Sequence, residues 1–275
     1  MKALRLRARG AEPAGVRVDL RGVVPATLCG LDTDAVARIR VRQGNGEGAL
    51  GDFFDITIEA RDVVEPTLTL EGDLRRFDRI GSQMQEGVLR LEGDAGDYLG
   101  CAMLAGEITV SGSAGDFAAS EMAGGCIRIG GNCGDFAAAS LPGSMNGMRG
   151  GSLMIRGNAG ERLADRMRRG TVLVSGDTGD YAASRMVAGT LAMAGSCGAH
   201  LAYGMRRGTV LCLGDHPEAS STFAATFHDF GVFWALLRRH LAQAGGAFAN
   251  LPAAPPRRHV GDIAADGKGE LLWFD

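Results

Sequence analysis

Acidic residues recur at regular intervals in the middle of the chain. If the fold brings them together, neighbouring carboxylates could perform general acid–base catalysis. Each acid directly follows a glycine, and the series comprises Asp97, Asp116, Asp135, Glu161 and Asp180. Because catalysis needs acids at one place rather than the same acid in every copy, we interpret the series as a structural feature of a repeat. We expect these carboxylates to accept hydrogen bonds from backbone N–H groups or to face solvent, and we expect no catalytic residue in the chain.

Arginines of the same region also occur at equivalent positions of the repeat, but only in some of the repeats. Five are candidates for binding a ligand, namely Arg149, Arg168, Arg169, Arg206 and Arg207, and two more, Arg166 and Arg185, lie near them in sequence. Guanidinium groups pair well with carboxylates because both are planar and can form two parallel hydrogen bonds. Two interpretations are open: a solvated edge of the fold, or a basic stripe that binds an acidic partner or a polyanionic ligand.

Sulfur-containing side chains are abundant, but their spacing does not predict a metal site. The six cysteines include no CxxC pair and have no histidine at ligand spacing, which argues against structural zinc or an iron–sulfur cluster in this chain. Seven of the eleven methionines form a regular series: Met84, Met103, Met122, Met148, Met167, Met186 and Met205. Such a series could hold a soft metal, but methionine also fills irregular cores, and we predict inward packing for all seven. We expect Cys133 and Cys197 to be core fillers as well.

Sequence motifs of catalysis and cofactor binding do not emerge. The five histidines are scattered, no GxSxG or phosphate-binding loop is present, and the DGKG segment at 266–269 lacks the rest of such a loop. We therefore expect this chain alone to bind no metal and no cofactor.

The elements that must position these side chains are indicated by the glycines, of which there are 43. The first glycine of each unit lies at position 93, 112, 131, 157, 176, 195 or 214, so every step is 19 residues except one of 26. Self-similarity at a short fixed period is typical of a solenoid, in which each repeat buries its apolar face only against its neighbours. The long step contains a seven-residue insertion, residues 141–147, which we expect to bulge out beside Arg149 and to mark a binding face.

Two apolar positions separated by one residue recur before each first glycine, for example Ile108 with Val110 and Ile127 with Ile129. This period of two is typical of a strand with one buried face, and the units are too short for helical repeats. We therefore predict an all-β fold, a parallel β-helix whose coils of about 19 residues have glycines at their corners.

The flanks of the repeats differ from them in pattern. We divide the chain into an N-terminal flank (1–67), a β-helix repeat domain (68–215) and a C-terminal capping tail (216–275). The N-terminal flank is expected to be strand-rich and to cover the first coil. In the tail, Phe230, Phe233, Trp234, Leu237 and Leu241 fall on one face of an amphipathic helix, which we predict caps the open end of the solenoid.

Charge and hydropathy exclude several classes of partner. The net charge is −3 and 45% of the residues are hydrophobic, so the chain has no global attraction to nucleic acid. No run of about 18 apolar residues occurs, and the N-terminus has no apolar stretch of the kind that directs export. We expect a cytoplasmic protein that binds neither nucleic acid nor membrane.

The chain resembles the C subunit of formylmethanofuran dehydrogenase over roughly residues 40–215 and its last twenty residues. The segments that carry the resemblance are GDAGDY, GSAGDF and GNCGDF, the enlarged unit ending in GMRGG, the upstream GNGEGALGDFF and RIGSQMQEG, and the terminal VGDIAADGKGELL. The same unit is similar to the C-terminal glycine-repeat domain of the large polypeptide of glutamate synthase, where it is one part of a very long chain. Bacterial relatives belong to a formyltransferase/hydrolase complex of methylotrophs.

The resemblance implies a right-handed coil and a cytoplasmic assembly that moves one-carbon units from formyl-tetrahydromethanopterin, through a methanofuran-like carrier with a polyglutamyl-type tail, to formate. The chemistry, the carrier and the metal ions would then belong to amidohydrolase-like, formyltransferase and pterin-enzyme-like partner subunits, and this chain would be a non-catalytic scaffold. Three alternatives stay open: the C subunit of a tungsten or molybdenum formylmethanofuran dehydrogenase, a β-helical polysaccharide lyase, and a stand-alone module that binds an anionic ligand through its arginines.

Overall fold

The computed structural model describes residues 2–10 and 16–274, and strands dominate this part of the chain. The strands are β1 (Lys2–Ala8), β2 (Val18–Asp19), β3 (Arg40–Gln43), β4 (Gly46–Ala49), β5 (Phe54–Asp62), β6 (Thr67–Glu71), β7 (Phe77–Asp78), β8 (Val88–Glu92), β9 (Glu107–Val110), β10 (Cys126–Ile129), β11 (Arg149–Ile155), β12 (Arg169–Val174), β13 (Thr190–Met193), β14 (Arg207–Cys212), β15 (Ala224–Thr226), β16 (Arg257–Gly261) and β17 (Lys268–Trp273). The helices are short: α1 (Pro25–Leu28), α2 (Thr33–Ala37), α3 (Leu50–Phe53), α4 (Gly231–Ala242) and a 3₁₀ turn at Gly246–Phe248. The all-β class predicted from the sequence is confirmed.

One long sheet contains the strands of all the repeats. Its order is β15-β16-β17-β14-β13-β12-β11-β10-β9-β8-β6-β1-β5, and β8 to β14 pair in parallel in sequence order. Ile127 of β10, for instance, lies opposite Ile108 of β9 on one side and Leu153 of β11 on the other. Equivalent residues of consecutive repeats are therefore neighbours, about 4.8 Å apart.

A second line of parallel bridges joins the repeats away from this sheet. It runs through Ala114, Cys133, Ala159, Thr178 and Cys197, which pair in that order. Each repeat thus contacts the next through at least two separate segments of its backbone. The apolar residues between these segments form one continuous core.

The methionine series lies in this core. None of the seven methionines of this series has any exposed surface. Their inward packing, predicted from the spacing, is confirmed. Cys133 is also buried, at 5% exposure, and Cys197 is half-buried.

The acid series connects one repeat to the next. Asp97 Oδ1 accepts a hydrogen bond from the backbone N–H of Asp116 at 3.0 Å, and Asp116 Oδ1 accepts one from Asp135 at 2.9 Å. The pattern continues from Asp135 to the N–H of Glu161, at 2.8 Å. Asp180 Oδ1 likewise accepts from the backbone N–H of Ala199 at 2.8 Å, whereas Glu161 is exposed. Four of the five carboxylates therefore bind a backbone donor one repeat later, and the fifth faces solvent, the two situations expected from the sequence.

The glycine beside each acid is required by close approach of the backbone. A Cβ atom on Gly160 would lie 2.0 Å from Asp135 Oδ1 and 2.9 Å from Asp135 N. Real Cβ atoms do not approach so closely, and so the corner accepts only glycine. The recurrence of glycine in the sequence is explained by this contact.

The N-terminal strands extend the sheet beyond the first repeat. Strand β1 pairs in parallel with β6 and antiparallel with β5. A separate small sheet, of order β4-β3-β2-β7, lies beside them.

The C-terminal tail differs from the prediction in where its helix lies. Strand β17 continues the repeat sheet by pairing in parallel with β14, so strands rather than the helix follow the last repeat. Helix α4 instead buries Trp234, Leu237 and Leu241 on the outer face of the sheet; the sheet residues beneath it are Leu173, Ala192, Leu211 and Leu272. This outer face is apolar only near the C-terminal end, which gives the helix its docking surface.

The predicted helical face is also narrower than the sequence pattern suggested. Phe230 precedes the helix at its N-cap position, and Phe233 remains 41% exposed. Within the described residues, no helix has the length and apolar character needed to cross a membrane.

Candidate anion-binding groove

The five candidate arginines line one open groove with a volume of about 1030 Å³. Arg149, Arg169 and Arg207 are the first residues of β11, β12 and β14, and Arg168 and Arg206 directly precede two of these strands. Because the strands are parallel and in register, their first residues lie at the same edge of the sheet. The repeat therefore places residues that are far apart in sequence in one row.

Small residues form the floor of the groove between two arginine pairs. Val187, Ala188 and Gly189 occupy the positions that Arg168, Arg169 and Gly170 occupy one repeat earlier, and that Arg206, Arg207 and Gly208 occupy one repeat later. The two pairs are thus two strand spacings apart, about 10 Å. This gap leaves the groove open between the two arginine pairs.

The groove carries a concentrated positive charge. All five arginine side chains are exposed, and none forms an ion pair with a carboxylate in residues 2–10 and 16–274. Arg149 Nη2 donates to the backbone oxygen of Glu121 at 3.4 Å. Exposed cations attract anions over about 10 Å at moderate ionic strength, and salt screens this attraction.

Acidic residues lie at one end of the groove only. Asp266 and Glu270 belong to its lining, but Glu270 already pairs with Arg258 and accepts a hydrogen bond from Thr209 Oγ1 at 3.1 Å. The row of cations from Arg149 to Arg207 is not neutralised by these two acids.

The structure adds Lys268 and Phe233 to the groove, which the sequence interpretation missed. Lys268 begins β17 and lies opposite Arg207 in the parallel register. A signal was present, since KGELLW at 268–273 has the same pattern as RGTVLC at 207–212. The DGKG segment, considered only as an incomplete phosphate loop, is the start of one more repeat strand.

Arg166 and Arg185, which are near the groove arginines in sequence, lie elsewhere. Arg185 forms two hydrogen bonds with the buried carboxylate of Asp165, at 2.9 and 2.8 Å. Arg166 Nη1 donates to the backbone oxygen of Ser144 at 2.9 Å. Arg166 thus holds the insertion 141–147 against the stack, and the insertion does not line the groove.

Potential metal ligands are dispersed in the described chain. Within residues 2–10 and 16–274, no three His, Cys, Asp or Glu side chains are grouped so that they could hold a metal ion. The exposed arginines of the groove are suited to electrostatic binding of an anion, with bidentate pairing to carboxylates.

Comparison with known proteins gives the repeats a family. The family model of the GXGXG motif matches residues 67–227. The C subunit of the Fhc formyltransferase/hydrolase complex of Methylorubrum extorquens is 42% identical over 94 residues, which are 34% of this chain and 33% of that protein. The C subunit of molybdenum-containing formylmethanofuran dehydrogenase 1 of Methanothermobacter marburgensis is 33% identical over 72 residues, 26% of this chain and 18% of that protein. The aligned segments thus span a third or less of these two relatives.

The structural match extends over the whole chain. The crystal structure of the formyltransferase/hydrolase complex (FhcABCD) from Methylorubrum extorquens in complex with methylofuran contains a chain that superimposes with a TM-score of 0.90 and 41% sequence identity. The match covers 98% of this chain and 99% of that one, so it includes both flanks as well as the repeats. The chain therefore belongs to the GXGXG motif family and, within it, to the family of the matched chain of the formyltransferase/hydrolase complex.

Proposed function

We propose that this chain is the C subunit of a formyltransferase/hydrolase complex and acts there as a non-catalytic scaffold. The observation that carries the proposal is the full-length structural match to a chain of a complex solved with methylofuran. The formylmethanofuran dehydrogenase C subunits match this chain at lower identity, 33% over 72 residues and 31% over 89 residues. The greater similarity to the bacterial complex favours the hydrolase version.

In this proposal the chain is a right-handed parallel β-helix with an N-terminal flank (1–67), a repeat domain (68–215) and a C-terminal capping tail (216–275). The parallel register of β8 to β14 and the second line of bridges support a coil that returns to the same sheet every 19 or 26 residues. The flanks and the insertion 141–147 would contact the partners.

The proposed reaction sequence belongs to the partners. A formyltransferase moves the formyl group from formyl-tetrahydromethanopterin to a methanofuran-like carrier, and a metal-dependent amidohydrolase-like partner releases it as formate. The assembly also includes a pterin-enzyme-like partner, and we place it in the cytoplasm. The carrier and the metal ions are the cofactors of this complex.

The arginine groove is proposed to hold the anionic tail of the carrier or an acidic segment of a partner. Support comes from the row of five exposed arginines and Lys268 around a floor of small residues. A polyglutamyl-type tail carries one carboxylate per residue, and guanidinium groups pair with carboxylates bidentately. Holding the tail on the scaffold would leave the reactive end of the carrier free to reach the partners.

The test is a native pull-down of the tagged chain from its own cell extract. The recovered proteins are identified by mass spectrometry, and the eluate is assayed for hydrolysis of formyl-tetrahydromethanopterin. Recovery of an amidohydrolase-like chain and a formyltransferase, with activity, is the expected result.

Two other results would change the assignment. Tungsten or molybdenum with a pterin cofactor in the eluate would replace the hydrolase complex by a formylmethanofuran dehydrogenase. Recovery of the chain without companions would contradict the scaffold role and leave a stand-alone module that binds an anion through the groove.

A further inference from the structure

Two cysteines are in contact at the C-terminal end of the repeat stack. The Sγ atoms of Cys197 and Cys212 are 3.5 Å apart, and Cys197 Sγ lies 3.8 Å from the Sδ atom of Met193. Cys212 is the last residue of β14 and Cys197 belongs to the second line of bridges. The groove arginines and the family comparison do not account for this pair.

The fold places the same two positions in contact in the preceding repeat. Thr178 and Met193 occupy them there, and Thr178 Oγ1 lies 3.4 Å from Met193 Sδ. Earlier repeats have Ala95 with Val110 or Ala114 with Ile129 at these positions. Among the repeats between Ala95 and Cys212, only the last has a cysteine at both positions.

The two thiols differ in their surroundings. Cys197 is half-buried, whereas Cys212 has no exposed surface. The contact with the Cys212 S–H group lowers the pKa of Cys197, while the contact with Cys197 and burial raise the pKa of Cys212. The accessible sulfur is therefore the one that ionises first, and the thiolate is the reactive form of cysteine.

We propose that Cys197 and Cys212 form a peroxide-sensitive dithiol that closes to a disulfide. An S–S bond is about 2.05 Å long, so the sulfurs must approach by about 1.5 Å. The change lies within one repeat, between residues that the backbone already holds side by side.

Hydrogen peroxide supplies the oxidising equivalents. The Cys197 thiolate attacks one oxygen of the peroxide, the O–O bond breaks, and protonation of the released hydroxide gives water and a sulfenic acid. The Cys212 sulfur then attacks Cys197 Sγ, the S–O bond breaks, and the leaving hydroxide takes the Cys212 proton to form a second water. Two thiols lose two electrons in total, and the peroxide is reduced to two waters.

The disulfide would link the second line of bridges to β14, the strand with which β17 pairs. Cys212 lies opposite Trp273 in the pairing of β14 with β17, and the Cys197 N–H donates to the Asp215 backbone oxygen at 2.7 Å. Closing the loop between residues 15 positions apart restricts the unfolded chain and strengthens this junction. Oxidation would thus stabilise the attachment of β17, which carries Lys268.

The repeats supply conservative variants for the test. Cys197→Ala introduces the residue that Ala95 and Ala114 have at this position, and Cys212→Val introduces the residue of Val110. Cys133 is a matched internal control, because burial raises the pKa of its thiol to about 12 and its partner position is Ile155. All variants are made in the full chain and are examined alone and in any complex that it forms.

The experiment treats the native protein with hydrogen peroxide, stops the reaction with catalase, and maps the peptides after alkylation under denaturing conditions. The expected result is a Cys197–Cys212 cross-linked peptide, two hydrogen atoms lighter than its parts, while Cys133 is fully alkylated. In Cys212→Val, Cys197 should instead be trapped by dimedone as a sulfenic acid, and in Cys197→Ala, Cys212 should stay reduced. Hydrogen exchange over 207–212 and 268–273 should slow on oxidation of the wild type only.

Three results would overturn the proposal. The first is that Cys197 and Cys212 are as fully alkylated as Cys133 after peroxide treatment. The second is that Cys197 is oxidised to sulfinic acid while Cys212 remains a free thiol. The third is that the only cross-links formed are between separate molecules.

Discussion

Arg207 and Lys268 lie opposite each other across the parallel strands β14 and β17. The C-terminal segment thus returns to the repeat stack and adds one more cation to the row that begins at Arg149. The groove is therefore built from repeat and tail together, and its charge depends on the docking of β17.

Reversing charge in the groove should abolish most of its anion binding. We expect the double variant Arg168→Glu/Arg206→Glu to bind an oligoglutamate peptide at least about tenfold more weakly, since exposed ion pairs contribute up to about 1 kcal/mol each. Fluorescence anisotropy with a labelled peptide measures the change. Arg156→Glu is the matched control, because Arg156 is exposed on the same stack outside the groove. Equal weakening by the control would show that only net charge matters.

Lys268→Ala should have a smaller effect that depends on salt. Removing one exposed cation lowers affinity at low ionic strength, and the difference from wild type should shrink as salt screens the remaining charges. Titrations at about 0.05 and 0.5 M salt test this, because the Debye length is longer than about 10 Å at the lower concentration and shorter at the higher one. If Lys268→Ala were indistinguishable from wild type at low salt, the tail would not contribute to binding.

The buried methionines should matter for stability far more than the exposed one. Met148 has no exposed surface, whereas Met145, in the insertion, is 65% exposed. We expect Met148→Ala to lower the free energy of unfolding by about 2–5 kcal/mol and Met145→Ala to change it by less than about 0.5 kcal/mol. Urea unfolding followed by circular dichroism compares them. Similar values for the two variants would contradict the inward packing of the series.

The C-terminal tail should lose stability in mild acid. Burial and the nearby Arg257 and His216 lower the pKa of His259 below its ordinary 6.5, and its ring stacks on Trp273 at 4.4 Å. The unfolded chain then binds the proton more tightly than the folded chain, so the free energy of unfolding falls as pH drops below about 6.5. The contribution is fully present above that pH.

His259→Phe isolates this effect because it keeps an aromatic ring on Trp273. We expect hydrogen exchange over β16 and β17 to accelerate between pH 6.5 and 5 in the wild type, after correction for the intrinsic rate, and to change less in the variant. An equal acceleration in both proteins would assign the pH dependence to other groups.

The glycine period was sufficient to place the core, because a fixed step superimposes equivalent residues. Met148 could be assigned to the interior despite the insertion before it, and Arg168 and Arg206 could be placed on one edge. Lys268 was missed because its strand lies after a long non-repeating segment and has only Gly269 of the three regularly spaced glycines that mark each of the other units.

The position of helix α4 could not be predicted from its own periodicity. The pattern of Trp234, Leu237 and Leu241 defines which face is buried but not the surface that buries it. The missing information was in the sheet, where Leu173, Ala192 and Leu211 are apolar at outward positions that carry Thr109 and Arg128 in earlier repeats. Comparing the polarity of the outward-facing residues from repeat to repeat indicates which part of the sheet must be covered by another element.

The corner hydrogen bonds give the stack a direction. Asp78, Asp97, Asp116 and Asp135 each accept from a backbone N–H one repeat later in the chain. During synthesis from the N-terminus, each new repeat that leaves the ribosome meets an acceptor already fixed in the repeat before it. The protein can therefore be assembled one repeat at a time, with the paired strands β1 and β6 as the first template and the groove completed last, when β17 is made.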